Sequence, residues 1–169
     1  MNSKIVLLLV SVAFSSLAFG QLQQGSWVVS GNSSLQLSSS KFEGESSSAT
    51  TVIFSPSIGY FVVDGLAVGV GMDILNSNGY TTYAILPSAS YYFQTQSQVK
   101  PFLQVGVGYS GMSSDGDSIG GLALGAGTGI TFLINQNVGL NLGLQYLRGD
   151  YSGAVHNSFG GALGFSLFF

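Results

Sequence analysis

Charge is the scarcest property of this sequence. Only 7% of its 169 residues are Asp, Glu, Lys or Arg, whereas a soluble domain carries about a quarter. The net charge of −3 at pH 7 argues against a nucleic-acid partner. Cysteine is absent, so the chain forms no disulfide, has no thiol chemistry and carries no lipidated cysteine. A water-facing surface does not account for this composition.

Long apolar runs are missing as well, although 46% of the residues are hydrophobic. Beyond the N-terminal segment, no run approaches the ~20 residues of a transmembrane helix. Because unpaired backbone groups are not tolerated in lipid, only helices and closed β-barrels cross a bilayer. A membrane-like composition without a helical span therefore predicts a transmembrane β-barrel.

The N-terminal segment has the features of a secretory signal. Lys4 gives a positive start, residues 5–17 are largely apolar, and Ala18-Phe19-Gly20 has small residues at the positions that a signal peptidase reads. We therefore predict that residues 1–20 are a cleaved signal peptide and that residues 21–169 form one β-barrel domain. An uncleaved anchor is the alternative, but no stop-transfer pattern follows.

Alternation between large apolar residues and small or polar ones recurs eight times along the rest of the chain. In the last segment one face holds Phe159, Gly161, Leu163, Phe165, Leu167 and Phe169. A period of two with one apolar face is typical of a membrane strand between lipid and a barrel lumen. The sequence therefore predicts an all-β fold, an eight-stranded antiparallel up-and-down barrel.

The connections between the predicted strands differ in character. One group is 63–65, 94–100 and 134–137; the other, which carries most of the charges, is 38–49, 76–81, 112–118 and 148–155. Outer-membrane barrels have short periplasmic turns and longer outer loops. We therefore expect the Gram-negative outer membrane as the location, with the first group and both termini in the periplasm.

Aromatic residues gather near the predicted strand ends, as in the interfacial girdles of membrane barrels. The predicted periplasmic girdle contains Trp27, Tyr60, Phe61, Tyr91, Tyr92, Phe93, Phe102, Phe132, Phe165, Phe168 and Phe169. The predicted outer girdle contains Phe54, Tyr83, Tyr109, Tyr146 and Phe159.

Two prolines fall inside predicted strands. Pro56 and Pro87 each remove a ladder hydrogen bond. A β-bulge at each proline would accommodate the ring and bend the strand.

The chain resembles the small eight-stranded outer-membrane barrels of the OmpA/OmpX type, and more closely the generic outer membrane protein beta-barrel domain family. The matching segments are Gly25-Ser26-Trp27, Pro56–Gly71, Lys100–Tyr109 and Gly164–Phe169. The resemblance implies outer-membrane lipid around the barrel. It also implies that Phe165, Leu167 and Phe169 are the C-terminal signal for the barrel-assembly machinery. Members of such families include structural barrels, adhesins, small pores and a few lipid-modifying enzymes.

Motifs that could carry chemistry are incomplete. His156 and Ser158 resemble the pair of a barrel lipid A deacylase, but no Asp or Glu follows to orient the imidazole, and both fall on the lumen face. Asp115-Gly116-Asp117 offers two carboxylates, where calcium needs about six to eight oxygen ligands. Arg148-Gly149-Asp150 matches an integrin-recognition tripeptide, an easy chance match in a Gly-rich loop. We predict no enzyme, and no catalytic, cofactor-binding or metal-binding residue.

Asp73 is the one acidic residue that the alternation places inside a strand, facing the lumen near the outer rim. A structural role would pair it with Ser, Thr or Arg148. A functional role would give a narrow pore a mild cation preference.

Eight strands enclose a lumen that side chains just fill. The predicted lumen face is nevertheless rich in glycine: Gly69, Gly71, Gly106, Gly108, Gly125, Gly127, Gly139, Gly143, Gly160 and Gly164. We expect a structural scaffold that presents short extracellular loops for surface interaction, with an unspecified external partner. The alternative is a narrow porin-like channel for ions or very small solutes, and a lipid-modifying enzyme ranks third.

Overall fold

The computed structural model describes residues 22–42, 45–77, 80–114, 117–151 and 154–169, so the predicted signal peptide lies outside it. The described residues form eight β-strands: β1 (Trp27–Phe42), β2 (Glu45–Val63), β3 (Leu66–Ser77), β4 (Tyr80–Tyr92), β5 (Val99–Ser114), β6 (Asp117–Leu133), β7 (Val138–Tyr151) and β8 (Ala154–Phe168). Within those ranges, no helix is long and apolar enough to cross a membrane.

The sheet closes on itself. Each strand pairs antiparallel with the next, and β1 also pairs with β8, from Val28↔Phe168 to Ser38↔Ser158. The predicted eight-stranded up-and-down barrel is therefore confirmed. Both described chain ends lie at one end of the barrel, which we call the terminal end; the opposite end is the far end.

The predicted faces of the strands are confirmed wherever side chains are described. Large apolar side chains point outward and stay exposed, as at Val105 (61%) and Leu163 (64%), whereas their neighbours Gln104 and Ala162 point inward. An apolar surface of this extent around a barrel faces lipid, because in water it would drive aggregation. The apolar exterior therefore matches a bilayer.

Outward aromatics form a group near each end of the barrel. At the terminal end they include Trp27 and Tyr60, whose ring centroids are 5.1 Å apart, and Tyr91 and Phe93, also 5.1 Å apart. Phe132, Phe165 and Phe169 join them, and the far-end group is Phe54, Tyr83, Tyr109, Tyr146 and Phe159. Both predicted girdles are present, although the first loses four members.

Phe61, Tyr92, Phe102 and Phe168 point into the barrel, so their assignment to the girdle is wrong. Each follows an outward residue directly along its strand, and successive side chains on a strand point to opposite faces. These four rings therefore belong to the lumen.

The connections at the far end are shorter than predicted. The strands continue until only residues 43–44, 78–79, 115–116 and 152–153 separate them. The stretch 38–49, predicted as a loop, is largely strand: its residues pair from Ser38↔Ala49 to Phe42↔Glu45. The longest described connection is 93–98, at the terminal end. Loop length therefore does not distinguish the two ends in the way predicted.

Neither proline produces a bulge. Pro56 pairs with Gly31 and Pro87 with Val70 in unbroken register. On their other sides, the ladders skip the pairs at each proline and resume in the same register. A missing N–H therefore removes ladder pairing without shifting the strand. A register shift does occur in the β2–β3 ladder, between Phe61 and Val63.

Two glycines of β8 provide a matched test of how closely the strands approach. A Cβ at Gly164 would overlap the Gly31 carbonyl oxygen and Oδ1 of Asn32, whereas a Cβ at the outward-facing Gly161 would meet nothing within 4 Å.

We expect Gly164→Ala to lower the free energy of unfolding by about 1–3 kcal/mol, because the added methyl forces β1 and β8 apart. Gly161→Ala should change it by less than about 1 kcal/mol. Urea titration in lipid vesicles, followed through the fluorescence of the single tryptophan, measures both. Equal effects would contradict the close approach of the two strands.

Candidate functional site: the barrel lumen

Inward side chains close the lumen at the terminal end. Leu22, Val28, Phe61, Ala67, Tyr92, Leu133 and Phe168 form one buried apolar cluster, against which Phe102 packs. We call this cluster, with Phe102, the plug. Phe61 and Phe168 are 0% and 1% exposed. An eight-stranded barrel has room for little more than its own side chains, so large residues at one level occupy that level.

The rings of the plug contact one another across the barrel. The Tyr92 centroid lies 5.7 Å from that of Phe61, 6.0 Å from that of Phe168 and 5.8 Å from that of Phe102. Phe61 and Phe168 are 6.3 Å apart. Tilted and edge-on pairs at such separations add about 0.5–1.5 kcal/mol each to the burial of the rings. The plug is thus a packed core inside a membrane barrel.

The sequence contains a signal for the plug that the girdle prediction overlooked. Tyr60-Phe61, Tyr91-Tyr92-Phe93 and Phe168-Phe169 are consecutive aromatics. Since one member of each adjacent pair must face inward, runs of aromatics predict a ring inside the barrel as well as one in the girdle.

The segment before β1 contributes Leu22 to the plug and is hydrogen bonded to the neighbouring turns. The Leu22 side chain is 1% exposed, and its carbonyl oxygen accepts from the Gly65 N–H (2.7 Å) and from Nε2 of Gln94 (3.1 Å). The Gly25 N–H donates to the Phe61 carbonyl at 2.9 Å. Leu22 has a φ of 42°, a left-handed conformation costing roughly 1–2 kcal/mol. Burial and two accepted hydrogen bonds hold it there.

A hydrogen-bonded network lies next to the plug and connects four strands. Nδ2 of Asn141 donates to Oγ of Ser166 (2.8 Å) and to Oδ1 of Asn32 (3.1 Å). Oδ1 of Asn141 accepts from Oγ1 of Thr131 (2.9 Å), and the hydroxyls of Ser30 and Ser166 are 2.7 Å apart. Because buried polar groups are costly unless paired, Asn141 at the centre fixes the relative positions of β6, β7, β8 and β1.

A polar cavity of about 80 Å³ occupies the lumen beyond the network. Its polar lining includes Asp73, Ser57, Ser88, Gln104 and Gln145. A second cavity, of about 40 Å³, lies between the network and the plug. Both volumes fit a few water molecules. Five of the ten glycines predicted to leave space line these cavities: Gly69, Gly71, Gly106, Gly125 and Gly127. Others, such as Gly139 and Gly164, instead let neighbouring strands approach closely.

Asp73 faces the lumen as predicted, and of its three predicted kinds of partner, Ser, Thr and Arg148, the structure excludes Arg148. Arg148 lies on the outward, exposed face of β7, beside Tyr146, whereas the lumen face of that strand carries Gln145 and Leu147. The sheet itself therefore separates the guanidinium from the carboxylate.

A second buried apolar cluster borders the same cavity. It consists of Ala84, Leu86 and Ala123, with Leu147 packed against it. Leu86 and Leu147 line the cavity together with Asp73, and Asp73 pairs with Ala84 across the β3–β4 ladder. Asp73 therefore lines a small chamber whose wall is partly polar and partly apolar.

The structure describes the other motifs of the sequence only in part. Arg148-Gly149-Asp150 lies within strand β7 and not in a loop, which corrects the prediction. Asp115 and Gly116 lie outside the described residues, as does the side chain of His156. Oγ of Ser158 is within 3.5 Å of the Leu147 carbonyl oxygen, to which it donates. In the part of the chain that the structure describes, no three His, Cys, Asp or Glu residues gather to hold a metal.

The predicted C-terminal signal residues lie on the lipid-facing side of β8. Phe165, Leu167 and Phe169 are all exposed on the outward face. Phe169 and Trp27 exchange backbone hydrogen bonds, with the Phe169 N–H donating to the Trp27 carbonyl at 3.0 Å. The last residue thus closes the barrel against β1, and its role in assembly stays a prediction.

Comparison with solved structures identifies the fold. Neisserial surface protein A is similar with a TM-score of 0.72 and 24% identity, over 85% of this chain and 99% of that one. The N-terminal barrel domain of Pseudomonas aeruginosa OprF gives 0.62 and 16%, over 86% and 98%. A de novo designed transmembrane β-barrel gives 0.59 and 15%, over 88% and 99%. No family model and no curated protein matches the chain.

The chain is therefore an eight-stranded transmembrane β-barrel of the small outer-membrane type. A designed barrel is almost as similar as a natural one. The likeness accordingly establishes the fold, and the function has to be argued from the lumen and the surface of this chain.

We expect Asn141→Ala to lower the free energy of unfolding by about 2–4 kcal/mol, because it leaves Thr131 and Asn32 without their side-chain partner and removes one hydrogen bond of Ser166 inside the barrel. Asn141→Asp keeps an acceptor for Thr131 but loses both amide donors and buries a carboxylate, so it should destabilise the barrel at least as much as Asn141→Ala. The same urea titration in vesicles measures these changes. A loss below about 0.5 kcal/mol for Asn141→Ala would contradict a structural role for the network.

Proposed function

We propose that this protein is a non-enzymatic outer-membrane scaffold for surface interaction, with both termini in the periplasm and a lumen closed at the terminal end. The plug is the observation that carries the proposal. An open pore requires a continuous aqueous path, whereas the plug fills the barrel with buried rings that contact one another.

The far end supports the surface role. The β1–β8 ladder ends at Ser38↔Ser158, but β1 and β2 stay paired as far as Phe42↔Glu45. Four further residues at about 3.3 Å each carry this hairpin roughly 13 Å past the ladder. The β5–β6 hairpin continues beyond the β6–β7 ladder in the same way. These hairpins are the surfaces that an external partner would meet first.

The position of the termini favours a periplasmic terminal end. We propose that the barrel-assembly machinery receives the chain from the periplasmic side and reads Phe165, Leu167 and Phe169 at the closing edge of β8. In that orientation the projecting hairpins face outward from the cell.

The alternative, a narrow channel lined by Asp73, makes the opposite prediction for solute leakage. We expect liposomes carrying the folded residues 21–169 to retain a small dye. The double variant Phe61→Ala/Phe168→Ala should release it, because two rings of the plug are lost. Release is measured as dye fluorescence over time, with solutes of increasing size.

The matched control is Phe159→Ala/Phe165→Ala, which removes two rings from the outward face and should leave the liposomes tight. Folding of each variant is checked by its resistance to protease. Size-dependent leakage through the folded wild-type protein would overturn the scaffold proposal and make Asp73 the first candidate for a pore residue.

A further inference from the structure

Polar side chains meet on the outward face of β7 and β8 near the far end. Arg148 and Asn157 are direct cross-strand partners, and both are exposed. The hydroxyl of Tyr146 donates to Oδ1 of Asn157 at 2.7 Å. A guanidinium on the outward face of a membrane barrel needs an explanation, because the outward residues nearer the middle of the barrel, such as Leu144 and Leu163, are apolar.

The height of Arg148 relative to the girdle provides one. Tyr146 pairs with Phe159 in the far-end girdle, and Arg148 pairs with Asn157 two residues further along the same ladder. Two residues at about 3.3 Å, on a strand tilted by about 40°, raise the pair by roughly 5 Å. Girdle aromatics sit at the membrane–water interface, so the guanidinium reaches the level of the lipid headgroups.

The pair of Arg148 and Asn157 presents several hydrogen-bond donors. Arginine carries five N–H donors in a planar fork and accepts nothing. Because the Tyr146 hydroxyl donates to Oδ1 of Asn157, the two N–H groups on Nδ2 of Asn157 are left as donors. A guanidinium fork beside an amide donor matches the oxygens of a phosphate.

Asp150 limits the site on the side away from the membrane. It lies two residues beyond Arg148 on the same exposed face of β7, about 7 Å along the strand. A carboxylate there repels an anion that approaches from water, but not one held lower, beside Arg148 and Asn157. The charges therefore favour an anion at headgroup height over one in solution.

We propose that Arg148 and Asn157 bind the phosphate of a membrane lipid at the far end of the barrel. The ligand is a phosphate-bearing headgroup, with its acyl chains against the apolar belt below. Which leaflet supplies it rests on the proposed orientation of the protein. Binding itself requires only that the barrel lies in lipid.

The test measures binding of phosphatidic acid to the folded barrel in neutral micelles by native mass spectrometry, with diacylglycerol as the matched lipid without phosphate. We expect Arg148→Gln to weaken phosphatidic acid binding about fivefold, the equivalent of about 1 kcal/mol per basic residue at an anionic surface. Asn157→Leu should weaken it less, and neither variant should alter diacylglycerol binding.

Asp150→Asn is a control that removes a negative charge where Arg148→Gln removes a positive one. It should leave phosphatidic acid binding unchanged or make it tighter. Equal binding by wild type and Arg148→Gln would overturn the proposal. Displacement of the lipid by an equal concentration of inorganic phosphate would also overturn it, because the site would then recognise a soluble anion. A leaking wild-type barrel would refute the scaffold function without touching this result, so the two failures are distinguishable.

Discussion

Closing eight strands into a barrel leaves an interior only as wide as the side chains that point into it. The size of the inward side chains at each level decides where the barrel is filled and where a cavity remains. Where the inward residues are Gly, Ser and Asn, the strands approach closely and a small polar chamber remains. Where they are Phe and Tyr, the volume is full and the barrel is closed. A functional account of this chain is therefore an account of what its inward face holds at each level.

The plug also links the chain ends to the barrel wall. Phe168 comes from the last strand, and Leu22 from the segment before the first. Trp27 and Phe169 are hydrogen bonded at the seam where the sheet closes. The packed rings of the plug, the seam between β1 and β8 and the segment before β1 thus lie together at the terminal end. The opposite end carries projecting hairpins, and below them the outward Arg148, so the two ends are specialised for closure and for contact with the surroundings.

Much of the fold could be predicted because the alternation of a membrane strand is local: Leu163 and Ala162 show their faces from sequence position alone. The girdle prediction is wrong at Phe61 and Phe168. Their position near a strand end suggests the girdle, but the two-residue period of the strand decides that their side chains face the lumen. The extent of β1 and β2 could not be predicted from 38–49, since its serines fit a loop or a ladder equally well. The Asn141 network joins residues far apart in sequence, and only barrel closure brings them together.

The central claim is that the plug separates the lumen from the terminal end. Because the chain has no cysteine, a single introduced cysteine can be labelled specifically. The test variant is Ser88→Cys, inside the chamber, and Asp64→Cys is the accessible reference. Each variant is placed in oriented vesicles, and a small water-soluble thiol reagent is added on the side of the terminal end. The account predicts that the cysteine at position 88 stays unlabelled while the one at position 64 reacts. Labelling at both positions at similar rates would contradict it.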